Sequence, residues 1–127
     1  MSLYSKNDLR DAALEELQVK DAGTPVSAED DAIVLRDIQN LFEQLEDENL
    51  VVFSTAVSNS TRNIPGRLFQ ALTGLVAVMI GPKYGRAFQP VPRAGGGVET
   101  AYDVAMRRLR RSVNTATDDT PVTAHYY

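Results

Sequence analysis

The residues best suited to chemistry in this chain are four arginines near its C-terminal end, Arg107, Arg108, Arg110 and Arg111. Guanidinium groups bind the phosphates of nucleic acids or the carboxylates of proteins. The net charge is −4 and no aromatic residues are interleaved with these arginines, so the signal for nucleic acid is weak. Because arginine is enriched in protein interfaces, we expect these side chains to form ion pairs with a partner or a neighbouring copy. Nucleic-acid binding is the alternative.

Nothing in the sequence specifies catalysis. The chain has one histidine, His125, and no cysteine, which excludes a thiolate nucleophile or ligand. The glycines at residues 95–97 are not followed by the Lys-Ser/Thr pair of a phosphate-binding loop. Asp118 and Asp119 are better explained as a solvated charge pair than as metal ligands. We therefore expect a protein that is not an enzyme and that holds no metal or cofactor.

The composition is that of one small globular domain with an uneven charge distribution. The chain has 127 residues, of which 43% are hydrophobic, and we expect no signal peptide and no membrane span. Residues 1–50 carry a net charge of −9, whereas residues 51–113 carry +7. The asymmetry has three interpretations: a surface for a polar partner, an acidic helix beside a basic one, or copies that stack head to tail.

The segment that the other elements must surround is residues 64–85, IPGRLFQALTGLVAVMIGPKYG. Pro65 suits the first position of a helix, and Gly81 followed by Pro82 indicates its end. Between them the apolar residues repeat at helical spacing, and the opposite face is also apolar or small. A helix of this kind is buried. The run is shorter than the roughly 18–20 residues that span a bilayer.

Three further helices are predicted around it, over residues 5–17, 27–49 and 98–113. Ser5 with Asp8, and Ser27 with Asp30, have the spacing of helix N-caps. We expect a β-prone run at 50–53, a polar loop at 54–63 and an irregular linker at 86–97. The predicted fold class is all-α, a small bundle of about four helices. It comprises a helical domain over residues 1–113 and an extended, flexible C-terminal tail over residues 114–127.

The tail has no core-forming pattern, so we expect it to be disordered in an isolated monomer. It ends in Tyr126 and Tyr127. Tyrosine is a favoured anchor residue at interfaces, and a polar tail that ends in two of them can dock as a peptide. The opposite interpretation, a frayed end with no role, is open on these residues alone.

The order of these motifs resembles one protein family. The segments YSKNDLRDAALEEL and AIVLRDIQNLFEQL come first, then a polar loop, the central segment IPGRLFQALTGLVAVMIGPKYG, the helix AYDVAMRRLRR and a flexible tail. This order resembles the head-completion adaptors of short-tailed bacteriophages, also called tail accessory factors. The resemblance covers roughly residues 3–111, and its best local match is the central helix ending in Gly-Pro-Lys-Tyr-Gly.

The resemblance implies a structural protein that forms a ring, usually of twelve copies, below the portal. Such a ring closes the DNA-filled head and offers a platform for the tail proteins. It implies the virion head–tail junction as the location, and the host cytoplasm during assembly. The expected partners are the portal protein, neighbouring copies and tail proteins, with packaged DNA nearby and no membrane. The C-terminal tail would reach along the portal, with Val122, His125, Tyr126 and Tyr127 as its docking residues.

Overall fold

The computed structural model describes residues 2–20, 25–50 and 57–118. Within these ranges the chain forms four α-helices: α1 (Lys6–Glu16), α2 (Ala28–Asp47), α3 (Gly66–Ile80) and α4 (Ala101–Asp118). Four two-residue strands form two antiparallel pairs: β1 (Leu3–Tyr4) with β2 (Ile64–Pro65), and β3 (Val91–Pro92) with β4 (Val98–Glu99). The prediction of an all-α bundle of about four helices is confirmed.

The first two helices begin where their capping residues predict. The backbone N–H of Asp8 donates to Ser5 Oγ at 3.2 Å, and the N–H of Ser5 donates back to the Asp8 carboxylate at 2.9 Å. This reciprocal pair satisfies two N–H groups that a helix start leaves without partners. Ser27 accepts from the N–H of Asp30 at 3.1 Å in the same way.

The start of α3 differs from the prediction by one residue, whereas its end agrees with it. Pro65 lies one residue before the helix, because β2 pairs with β1 and holds Pro65 in an extended conformation. At the other end, α3 stops at Ile80 with Gly81 as its C-cap, as Gly81 and Pro82 predict, and a short 3₁₀ helix (Gly81–Tyr84) follows directly. Pro82 is tolerated near the start of this short helix, where its missing N–H is not needed. The 3₁₀ helix ends at Gly85, whose φ of 69° is the left-handed conformation that glycine adopts without cost.

The predicted start of the last helix and the irregular linker before it are also corrected. Val98 belongs to β4, and β3, β4 and the turn between them form a hairpin. Gly96 and Gly97 adopt φ values of 97° and 78° in that turn. Helix α4 begins at Ala101, where Thr100 Oγ1 accepts from the N–H of Asp103 at 3.1 Å. It continues to Asp118, five residues beyond the predicted end.

The contacts at the helix ends fix the directions of the helices. Tyr4 stacks on Phe69 at the start of α3, with ring centroids 4.1 Å apart, and Arg86 beyond its end donates to the Leu17 carbonyl at 3.1 Å. Helix α1 therefore runs parallel to α3. Lys83 and Tyr84 contact the N-terminal half of α2, so α2 runs antiparallel to α3.

Helix α4 runs parallel to α2 and therefore antiparallel to α3. Gln44 bonds Tyr102, and one turn further along α2 Glu48 pairs with Arg110.

All four helices contribute to one core. Among the described residues, twelve large apolar side chains are almost completely buried: Leu9, Leu14, Ile38, Leu41, Phe42, Leu45, Ile64, Leu68, Leu72, Leu75, Ile80 and Leu109. Helix α3 is not buried all round, however. Its strip of Ala71, Gly74 and Val78 is only half-buried, and that strip faces a groove described below.

Two predicted segments, the polar loop at 54–63 and the β-prone run at 50–53, lie only partly within the described residues. Of the polar loop predicted at 54–63, residues 57–63 are described, and the predicted β-prone run extends into residues 51–53, which lie outside the described residues. In the part of the chain that the structure describes, no helix is both long and apolar enough to cross a membrane.

Candidate interaction surfaces

Helix α4 divides the four predicted arginines between two flanks. Successive residues of a helix advance by about 100°, so residues three apart share a flank. Arg107 and Arg110 lie on the flank that faces the β3–β4 hairpin and the end of α2, while Arg108 and Arg111 lie on the other. All four are exposed, and Leu109 between them is buried.

Arg107 is held by an acid within the same chain. Its Nη1 donates to both carboxylate oxygens of Glu99, at 2.5 and 2.6 Å. Arg93, on the hairpin turn, donates to the same carboxylate through Nε at 3.0 Å. These two guanidinium groups lower the pKa of the Glu99 carboxyl below its ordinary value. The three charges tie the hairpin to the first turns of α4.

Arg110 pairs with Glu48 at the end of α2, with 3.5 Å between Nη2 and Oε1. Beside it, Gln44 donates to the Tyr102 hydroxyl at 3.1 Å. The acidic end of α2 thus lies against the basic face of α4, as one of the three interpretations of the charge asymmetry requires. Among the described residues, Arg107 and Arg110 therefore have carboxylate partners within the chain.

Arg108 is in a different situation. Among the described residues it has no hydrogen-bond or ion-pair partner for its guanidinium, and neither has the carboxylate of Glu16. Both side chains border a groove between α3 and α4 with a volume of about 200 Å³. The groove is lined mainly by apolar and small residues: Ala71, Gly74 and Val78 of α3, Ala101, Val104 and Ala105 of α4, and Phe88.

Among the residues that the structure describes, no side chain covers Gly74 in the wall of the groove. A Cβ atom built on Gly74 meets no heavy atom within 4 Å. Phe88, at one edge, is 45% exposed, one of three large hydrophobic residues among the described ones with such exposure. The groove is therefore an apolar surface that is open to a contact from outside the described bundle.

Lys6 is a buried charged residue whose burial the sequence does not predict. It is only 2% exposed, and its Nζ donates to Gln39 Oε1 at 2.6 Å and to the Val57 carbonyl at 3.1 Å. Burial lowers the pKa of this ammonium, and the nearby charge of Glu43 opposes the shift. Lys6 thereby fixes residue 57, at the start of the described part of the polar loop, against α1 and α2.

The remaining predicted site residues, Val122, His125, Tyr126 and Tyr127, lie outside the described residues. Across residues 2–20, 25–50 and 57–118, no group of three or more His, Asp or Glu side chains is placed to hold a metal ion. No protein-family model matches the chain, and no curated protein or solved structure matches it significantly. The resemblance of residues 3–111 stays a prediction from the sequence.

Proposed function

We propose that this protein is the head-to-tail adaptor of a short-tailed bacteriophage. In this role it is a structural protein that forms a ring under the portal, closes the DNA-filled head and carries the tail proteins. The proposal rests on the order of the sequence motifs over residues 3–111, which resembles the order in that family of adaptors. Each helical segment of that resemblance corresponds to one helix, α1 to α4, of a single bundle with α3 in contact with the other three.

The charge distribution supports assembly into a ring. A ring requires head-to-tail contacts between two different, complementary surfaces of the same chain. The exposed acids at the end of α2, Glu43, Glu46 and Asp47, and the exposed flank of Arg108 and Arg111 on α4 lie on different helices. Opposite charges on two such faces favour one orientation of neighbouring copies over the reverse.

The extent of α4 redefines the proposed docking tail. Because the helix continues to Asp118, a truncation after Val113 would remove its last turn as well as the tail. The docking segment is therefore residues 119–127, which include Val122, His125, Tyr126 and Tyr127. In the proposed function these residues contact the portal, and the two tyrosines supply most of the apolar contact area.

The direct test is electron microscopy of the protein mixed with portal rings from the same genome. We expect a second ring stacked on the portal and no comparable ring without it. A protein that stays separate from the portal would overturn the adaptor function. Within this assay, Tyr126→Ala combined with Tyr127→Ala should weaken portal binding, whereas Thr120→Ala with Thr123→Ala should leave it unchanged.

The alternative, a nucleic-acid-binding regulator, makes a different prediction. Its affinity for DNA would fall steeply with salt, because binding would release counterions from the phosphates. The pairing of Arg107 with Glu99 and of Arg110 with Glu48 reduces the positive charge that these arginines offer to phosphates. Titration of labelled duplex DNA at low salt separates the two functions, and only the regulator requires binding.

A further inference from the structure

The groove between α3 and α4 has the dimensions and chemistry of a peptide site. Its volume of about 200 Å³ is below the roughly 300 Å³ at which small-molecule sites begin, so it suits one or two side chains. The floor is apolar, and the rim is polar, with Gln70, Gln89, Glu16 and Arg108. Tyrosine matches this arrangement, since its ring is apolar and its hydroxyl needs a polar partner.

The two charged residues lie toward opposite ends of the groove. Helix α1 runs parallel to α3, so Glu16, at the end of α1, lies near the C-terminal end of α3. Helix α4 runs antiparallel to α3, so Arg108, two turns after Ala101, lies toward the N-terminal half of α3. A segment in the groove would thus have a cationic contact at one end and an anionic contact at the other.

We propose that residues 119–127 of the same chain occupy this groove, with Tyr126 or Tyr127 on its apolar floor. The segment carries Val122 and two tyrosines, and its one charged residue is acidic. It therefore complements an apolar groove that is bordered by the cation Arg108, on the helix from which the segment departs. None of the other described elements fills the space over Gly74.

The reach of the segment permits this contact. Arg108 lies ten residues before the end of α4, which is about 15 Å along the helix axis. Nine residues span up to about 30 Å when extended. A segment that turns back at Asp118 can therefore place its tyrosines beside Arg108, because its extended length exceeds the distance along the helix. Because the segment and the groove belong to one molecule, the contact also has the high effective concentration of an intramolecular reaction.

The consequence for assembly rests on the proposed function. If the same segment is the portal-docking tail, the groove and the portal compete for it. The apparent affinity for the portal is then reduced by the fraction of molecules with a free tail. A groove that holds the tail nine-tenths of the time would weaken portal binding about ten-fold.

The test uses the full chain. Because the chain contains no cysteine, a single Thr123→Cys substitution provides a unique attachment site for a nitroxide spin label. We expect the label to broaden the amide NMR signals of Gly74 and Val104. In a second sample, Gly74→Leu fills the groove and should abolish the broadening. This variant should fold, because no heavy atom of the described residues lies within 4 Å of the new Cβ and leucine is a better helix former than glycine.

The matched control is Asn40→Leu, which places the same side chain at an exposed position of α2 and should leave the broadening intact. Unaffected signals of Gly74 and Val104, or broadening that persists in Gly74→Leu, would overturn the proposal. So would broadening of an unlabelled, isotope-enriched chain by a labelled chain, because the tail would then come from a second copy. No portal is present, so the outcome is independent of the adaptor function. With portal added, Gly74→Leu should bind it more tightly than Asn40→Leu.

Discussion

Replacing Lys6 with methionine tests whether the buried ammonium stabilises the fold. Methionine keeps an unbranched apolar stem but removes the donor that bonds Gln39 Oε1 at 2.6 Å and the Val57 carbonyl at 3.1 Å. Hydrogen bonds from a charged donor contribute roughly 1.5–3 kcal/mol each. Two effects reduce the net loss: the ammonium is desolvated, and Gln39 and Val57 are only half-buried, so water can replace Nζ. We expect the free energy of unfolding to fall by about 2 kcal/mol.

Urea unfolding followed by circular dichroism measures this loss. With a slope of about 1–2 kcal/mol per molar urea, the midpoint should fall by about 1–2 M. Lys83→Met is the matched control. Its ammonium lies 2.6 Å from the Asp37 carboxylate but its side chain is 43% exposed, and exposed ion pairs contribute only about 0.2–1 kcal/mol. A midpoint for Lys6→Met that is no lower than that for Lys83→Met would refute the reasoning.

The same variant has a signature in the pH dependence of stability. Burial lowers the pKa of Lys6 below 10.5, so between the two values the unfolded chain binds more protons than the folded chain. The free energy of unfolding should therefore rise as the pH increases from the lowered pKa toward 10.5. Lys6→Met should remove this rise, while Lys83→Met should keep it.

Three further predictions concern single contacts. Gly81→Ala should lower the free energy of unfolding by about 1–3 kcal/mol, because its Cβ would lie 2.7 Å from the Arg86 carbonyl oxygen, and thermal unfolding measures the difference. Tyr84→Phe removes a 2.8 Å hydrogen bond to Asp30 and should cost about 1 kcal/mol at neutral pH. Since the Tyr84 pKa is raised from 10.0 to about 12, the wild type should lose stability between these pH values and the variant should not. Glu99→Gln removes the carboxylate shared by Arg93 and Arg107 and should speed hydrogen exchange at the Arg93 N–H, which bonds Gly97. In the wild type the same effect should appear as the pH falls through the lowered pKa of Glu99, whereas unchanged exchange would show that the hairpin does not depend on this carboxylate.

The elements that the sequence predicts well are those that local interactions decide. Ser5 and Ser27 start their helices because the capping bonds join residues three apart. In α2 the apolar residues recur at helical spacing, and Val34, Ile38, Leu41, Phe42 and Leu45 are buried together, whereas Leu35 is half-buried. The all-α class follows from such periodic segments, each of which identifies one face toward the core.

The errors arise where a distant segment decides the structure. Pro65 is held outside α3 by β1, which lies about 60 residues earlier in the chain. The β3–β4 hairpin has two-residue strands, one of which contains Pro92, so it shows no alternating pattern. Lys6 is charged and occupies the first turn of a helix, where a cation opposes the helix dipole; only the folded arrangement of α2 and residue 57 explains its burial.

Gly74 connects the energetics of the bundle with the proposed surface. A glycine in a helix interior costs about 0.5–1 kcal/mol relative to alanine. Within the described bundle no close packing compensates, because a Cβ would meet no heavy atom of it within 4 Å. Gly74→Ala should therefore stabilise the protein by about that amount, in contrast to Gly81→Ala. The packing of the described bundle thus gives no reason for glycine at residue 74. The proposed contact gives one, since each atom added at this position takes space from the groove. Stability and tail contact should accordingly change in opposite directions when residue 74 is enlarged from glycine to alanine and then to leucine.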